Sequence, residues 1–310
     1  MPNLEVRLGS LMLETPLIGS SGLFGYGVEH GDLIDCSAFG ALVTKTITLE
    51  PREGNPGPRI VDVACGIVNS IGLENVGCAA FLREKLPEIH LPCRLLVSIG
   101  GQAVDEFRRL AGLLGGHKGI DAIEVNISCP NIAGGGIAFG RDPNAARDVL
   151  RAVRSETDLP VIPKLPPLVA GIEDVATAAC EGGADALIVA NTYPGMVIDI
   201  DGERPVLGGI WGGYSGRAIR PMSVLLVWTV ADAVKVPVIA AGGIEEPEDA
   251  IEYMLAGASA FEMGSVILRD LGAPSKIVAG LKAFMESKGY GKIGDFRGKA
   301  RTGCEGQGAV

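Results

Sequence analysis

The sequence predicts a single (β/α)8 TIM barrel over residues 1–310, with an N-terminal hairpin and lid insertions. Three observations lead there. Short Val/Ile/Leu/Ala-rich runs alternate with longer amphipathic stretches from end to end, as parallel strands and their covering helices do. A glycine followed by an apolar strand recurs at Gly119-Ile-Asp-Ala-Ile, Gly183-Ala-Asp-Ala-Leu and Gly257-Ala-Ser-Ala-Phe, where a helix end needs a left-handed cap. Glycine also occurs 45 times without a Gly-X-Y period while aromatics reach only 5%, so tight loops between aliphatic elements are favoured over collagen or a low-complexity linker.

In chain order, Leu4 to Leu13 reads as a small hairpin suited to plugging the barrel bottom. Eight strands follow: Pro16 to Ser20, Ala41 to Thr46, Arg94 to Ile99, Ala122 to Ile127, Val161 to Leu165, Ala186 to Asn191, Val238 to Ala241 and Ala260 to Gly264. Between them Val104, Phe107, Leu110, Ala111 and Leu114 keep helical spacing, and Asp142-Pro143 and Glu246-Pro247 read as helix starts. Eight such units without a linker or composition shift suit a closed barrel better than an open sheet. Residues 47–68 and 193–215 are long, Gly- and Pro-rich connections, hence lid candidates. The polar, glycine-rich tail 298–310 is expected to fray.

The formal net charge of −10 argues against nucleic acid or an anionic membrane surface as partner. Seven cysteines without a Cys-x-x-Cys pair disfavour a disulfide framework, zinc ribbon or iron–sulfur ligand set. His30, His90 and His117 lack ligand spacing, so no metal site is expected. Glu5 and Arg7 stand where a signal peptide needs apolar residues, and no run approaches a membrane span, so a cytoplasmic protein is expected.

Chemistry in such a barrel belongs at the C-terminal strand ends, where a buried polar residue needs a reason. Strand two ends in Thr44-Lys45-Thr46, strand four in Asn126-Ile-Ser128-Cys129-Pro-Asn131, strand five in Lys164, and strand six in Asn191-Thr192. Lys45 and Lys164 suggest an electron-rich ligand; the alternative is that each pairs with a neighbouring carboxylate such as Glu50 or Glu124. Gly242-Gly243 and Gly264-Ser265, at the last two strand ends, suggest a barrel phosphate site; the alternative is that they are merely tight turns. The position of Cys129 leaves a reactive thiol and a small buried hydrophobe equally open.

Thr44 to Arg59, Asn69-Ser-Ile-Gly-Leu-Glu-Asn75, Asn126-Ile-Ser-Cys-Pro-Asn131, Asn191-Thr192 and the two glycine loops resemble the class 1 dihydroorotate dehydrogenases, most of all the class 1B catalytic subunit. The resemblance implies FMN across the barrel mouth. Gly242, Gly243, Gly264 and Ser265, with Gly216 nearby, would meet its phosphate; Ser21, Thr46, Ser98, Asn126 and the backbone of Ala190 would line its ring and ribityl chain. Lys164 matches the lysine beside flavin N1 and O2, and Lys45 one that touches both flavin and the substrate carboxylate. Asn69, Ser70, Ile71, Gly72, Leu73, Asn126, Asn191 and Thr192 match residues that hold dihydroorotate or orotate. Cys129 matches the general base that removes the C5 proton while C6 passes hydride to flavin N5. The resemblance further implies a homodimer or a heterotetramer with a subunit carrying FAD and an iron–sulfur cluster, which reduces NAD+.

This chain departs from the family pattern in several places. Leu165-Pro-Pro-Leu168 replaces the usual Leu-Ser-Pro-Asn, and Ser98 replaces a common asparagine. Tyr193-Pro194, Ile210-Trp211 and Leu268-Arg269-Asp270 are also unusual. Most of these changes fall near flavin or substrate, which makes a paralogue with another acceptor, or a dihydropyrimidine dehydrogenase-like subunit acting on uracil or thymine, the alternative reading.

Overall fold

A computed structural model of the chain describes residues 2–27, 29, 34–128 and 137–302. Eight parallel strands close into a barrel: β1 (Leu17–Gly19), β2 (Ala41–Val43), β3 (Arg94–Ile99), β4 (Ala122–Asn126), β5 (Val161–Lys164), β6 (Leu187–Val189), β7 (Val238–Ala241) and β8 (Ala260–Met263). They stand in chain order, and β8 closes on β1 through Phe261↔Leu17 and Met263↔Gly19. All eight expected strands are present. Several stop one to three residues short of the expected ends: Thr44 to Thr46, Ile127 and Asn191 follow their strands without belonging to them.

Near-continuous aliphatic runs form these strands because both faces are covered, as the full burial of β2, β5 and β8 shows. The expected helices appear at Val104–Leu114, Pro143–Arg154 and Pro247–Ala256. Asp142 caps the second by accepting from Asn144 N at 2.9 Å, and Asp249 caps the third by accepting from the backbone of Glu245 and Glu246. Ile172–Glu181, Arg220–Ala233 and Ala273–Lys288 complete the long helices of the outer ring. The three repeated glycines, Gly119, Gly183 and Gly257, all take the positive φ that their signature implies.

Val6–Leu8 pairs antiparallel with Leu11–Leu13 in the expected hairpin. Its turn residue Gly9 sits against Asp185, ahead of β6, which places it at the N-terminal end of the barrel. The two lid candidates combine into one antiparallel sheet, in the order Tyr193–Gly195, Gly212–Ser215, Gly66–Asn69, Ile60–Val63. Of the tail, Gly298 to Thr302 are described, and Arg301 donates to Trp228 O at 2.6 Å with its guanidinium over the indole. Residues 303–310 lie outside the described residues. Among the described residues no helix is long and apolar enough to cross a membrane.

Candidate active site

A cavity of about 500 Å³ opens at the C-terminal end of the barrel, within the size range of small-molecule sites. At one end Gly242, Gly243, Gly264 and Ser265 present backbone to it. Gly243 has φ +68°, and a Cβ there would stand 2.8 Å from Gly216 O and 2.9 Å from Arg220 Cβ, so only glycine fits. This supplies unobstructed N–H groups of the kind that hold a phosphate. Asn69, at the end of a lid-sheet strand, also lines the cavity, with Ile71, Gly72, Leu73, Asn191 and Thr192.

The floor joins six strands through one polar network. Asn126 Nδ2 donates to Thr46 Oγ1 at 3.3 Å, Thr46 and Ser98 share a hydroxyl contact of 2.9 Å, and Ser98 Oγ donates to Glu124 Oε1 at 2.6 Å. Since the Ser98 proton goes to Glu124, the Thr46 hydroxyl must donate to Ser98. Lys164 Nζ lies 3.5 Å from Glu124 Oε2 and 2.5 Å from Glu262 Oε2. Ser20 Oγ donates to Glu262 at 2.9 Å and accepts from Lys164 at 3.3 Å. Burial pushes the Glu124 carboxyl up to about 7, opposed by the Lys164 charge and reinforced by Glu262. For Lys164 burial pulls the other way, but Glu124 and Glu262 outweigh it and hold the ammonium charged.

The sequence-predicted residues therefore meet in one place. Ser21, Lys45, Thr46, Asn69, Ile71, Gly72, Leu73, Asn126, Lys164, Ala190, Asn191, Thr192, Gly242, Gly243, Gly264 and Ser265 all line the cavity. Ser98 stands behind Thr46, Ser70 is fully buried and held by Asn55 Nδ2 at 2.9 Å, and Gly216 abuts Gly243. Cys129 lies outside the described residues, one position after Ser128, whose Oγ accepts from Asn191 Nδ2 at 2.7 Å.

Both lysines have carboxylate partners. Lys164 has Glu124, as the alternative held, and also Glu262. Lys45 pairs not with Glu50 but with Glu74 at 3.5 Å, and Arg59 grips the same Glu74 oxygen at 2.6 Å. Glu262 and Glu74 are the residues that sequence reasoning missed. A lone acid inside the aliphatic run Ala-Phe-Glu-Met was the available signal for Glu262.

The dihydroorotate dehydrogenase family profile matches residues 3–285. Among curated proteins, the chain is 46% identical over 300 residues to "Dihydroorotate dehydrogenase B (NAD(+)), catalytic subunit" of Desulforudis audaxviator, covering 96% of this chain and 98% of that one. The protein of the same name from Geotalea uraniireducens is 43% identical, covering 97% and 99%. Among solved structures, Eimeria tenella DHODH in complex with ferulenol superposes with a TM-score of 0.78 at 25% identity, covering 97% of this chain and 89% of that one.

Proposed function

The chain belongs to the dihydroorotate dehydrogenase family, in its class 1B branch, and from that premise we propose that it oxidises dihydroorotate to orotate in pyrimidine synthesis with FMN held across the barrel mouth. The observation that carries this reading is a single cavity lined by a glycine cradle, a buried lysine and a cluster of amide side chains. These residues fit the cofactor: Gly242, Gly243, Gly264 and Ser265 suit its phosphate, and Lys164 suits a ring edge on which negative charge builds. When bound, FMN supplies the two-electron acceptor for the hydride that leaves C6 of the substrate.

The chain's own residues do the rest. Cys129 takes the C5 proton as its thiolate, and Ser128, the residue before it in the chain, is anchored by Asn191. Asn69, Asn126, Asn191 and Thr192 each offer donor or acceptor groups to the amide edges of the pyrimidine, and the 69–73 loop covers it. Lys45 holds the substrate carboxylate, which must compete with Glu74 for it. Ser21, Thr46, Ser98 and the Ala190 backbone support the cofactor's ring and ribityl chain. The reading includes a cytoplasmic location and a partner subunit with FAD and an iron–sulfur cluster that passes electrons to NAD+; the relatives' name, "catalytic subunit", supports such a division.

The test is anaerobic. Purified protein is expected to be yellow and to bleach with dihydroorotate faster than with dihydrouracil. Faster bleaching with dihydrouracil would reassign the site to a pyrimidine without a carboxylate, and failure to take up added FMN would overturn the reading altogether.

A further inference from the structure

The cavity floor carries more negative charge than its lysine can match. Lys164 from β5 faces Glu124 from β4 and Glu262 from β8, and the carboxylate side chains have no solvent exposure. Glu262 makes the close contact with the ammonium and also holds Ser20, whereas Glu124 Oε1 takes the Ser98 hydroxyl. Glu124 Oε2 and Glu262 Oε1 have no hydrogen-bond partner. The other charged pair lining this cavity, Lys45 and Glu74, is partly solvent-exposed. Two buried carboxylates around one ammonium leave either a surplus negative charge or a bound proton, and both are costly without a role.

We propose that Glu262 sets the reduction potential of the bound flavin: it engages Lys164, withholds that lysine's charge from the ring edge, and leaves Glu124 to take up a proton when the flavin is reduced. This rests on the FMN reading above. A lysine free of Glu262 would stabilise the negative charge that reduction leaves on the ring more strongly, so the acid keeps the cofactor a better electron donor. The balance is simple. Dihydroorotate gives up two electrons and two protons; the two electrons and one proton reach the ring, which is left with one negative charge. The second proton is released through the base. One further proton enters from solvent onto Glu124, so the floor passes from net −1 to neutral as the ring becomes anionic.

Anaerobic titration of FMN-loaded protein against a reference dye reads the proposal directly, without turnover. For Glu262→Gln the equilibrium is expected to move at least tenfold towards reduced FMN, a rise of about 30 mV for a two-electron couple. A shift under threefold in a variant that holds one FMN per chain overturns it. Glu262→Ala carries the same test should the glutamine variant fail to fold. The wild type supplies a second measurement: between pH 6 and 8 its reduced-to-oxidised ratio should change more than the tenfold per pH unit that one proton per two electrons produces. A slope of tenfold or less removes the proton-uptake half of the proposal. Failure of the underlying reading looks different, because a wild type that binds no FMN gives no couple to titrate and takes the proposal down with it.

Discussion

Glu124 shows how one carboxyl ties folding to pH. Burial raises it from an ordinary value of 4.5 to about 7, so between those limits the folded chain binds a proton that the unfolded chain does not. Its contribution therefore falls as pH rises from about 4.5 to about 7 and is flat above. Urea melts of the apoprotein at pH 5 and pH 7.5 should show wild type losing up to about 3 kcal/mol more than Glu124→Gln over that interval. Equal losses would remove the assignment. With Lys45 holding the substrate carboxylate as proposed, Glu74→Gln frees that lysine and should lower KM for dihydroorotate several-fold with little change in kcat, measured in steady state. Cys129→Ser should slow single-turnover flavin reduction at neutral pH by about 10²-fold or more and recover partly at high pH, because a serine is much harder to ionise. Lys45, Lys164 and Asn126 were legible from sequence because a polar residue at a buried strand end is conspicuous. Glu262 was not, since it sits one residue inside its strand, where only the closed barrel reveals that it shares a floor with Lys164.

At the level of elements, the eight strands could be read because burial on both faces writes them as short, mainly aliphatic runs, several with glycine at one end. The lid sheet could not. Its strands include Tyr-Pro-Gly and Gly-Gly-Tyr-Ser, which carry no alternation, and they exist because two distant loops pair across the mouth: Gly213 stands opposite Asn69 and Pro194 opposite Gly213. A Cβ on Gly212 would lie 2.0 Å from Asn69 O, so the residues that weaken the strand signal are those that permit the pairing. Two substitutions separate the barrel's two ends. Leu13→Ala empties a fully buried site in the bottom hairpin and should cost about 2–5 kcal/mol in denaturant unfolding without altering the FMN potential. Gly243→Ala strains the phosphate cradle by about 1–3 kcal/mol and should weaken FMN binding by about tenfold or more, measured by fluorescence titration of the apoprotein.

Over the whole molecule, FMN bound as proposed would stabilise the barrel by mass action. Apoprotein given FMN at about 100 times its Kd should gain about 2.7 kcal/mol, seen as a rise of several degrees in Tm. No rise would mean that the mouth does not bind the cofactor. The strand order has another consequence, which concerns synthesis. Glu262 belongs to the last strand and Ser20 follows the first, 242 residues earlier, while Lys164 is made 98 residues before Glu262. A ribosome-bound chain lacking β8 has neither a closed wall nor the closer of the two carboxylates that hold the Lys164 ammonium, and the Gly264-Ser265 half of the cradle is missing as well. Translation thus completes the pocket at its final strand, and on the proposed reading a flavin would load only onto a nearly full-length chain, leaving truncated products without a redox-active group.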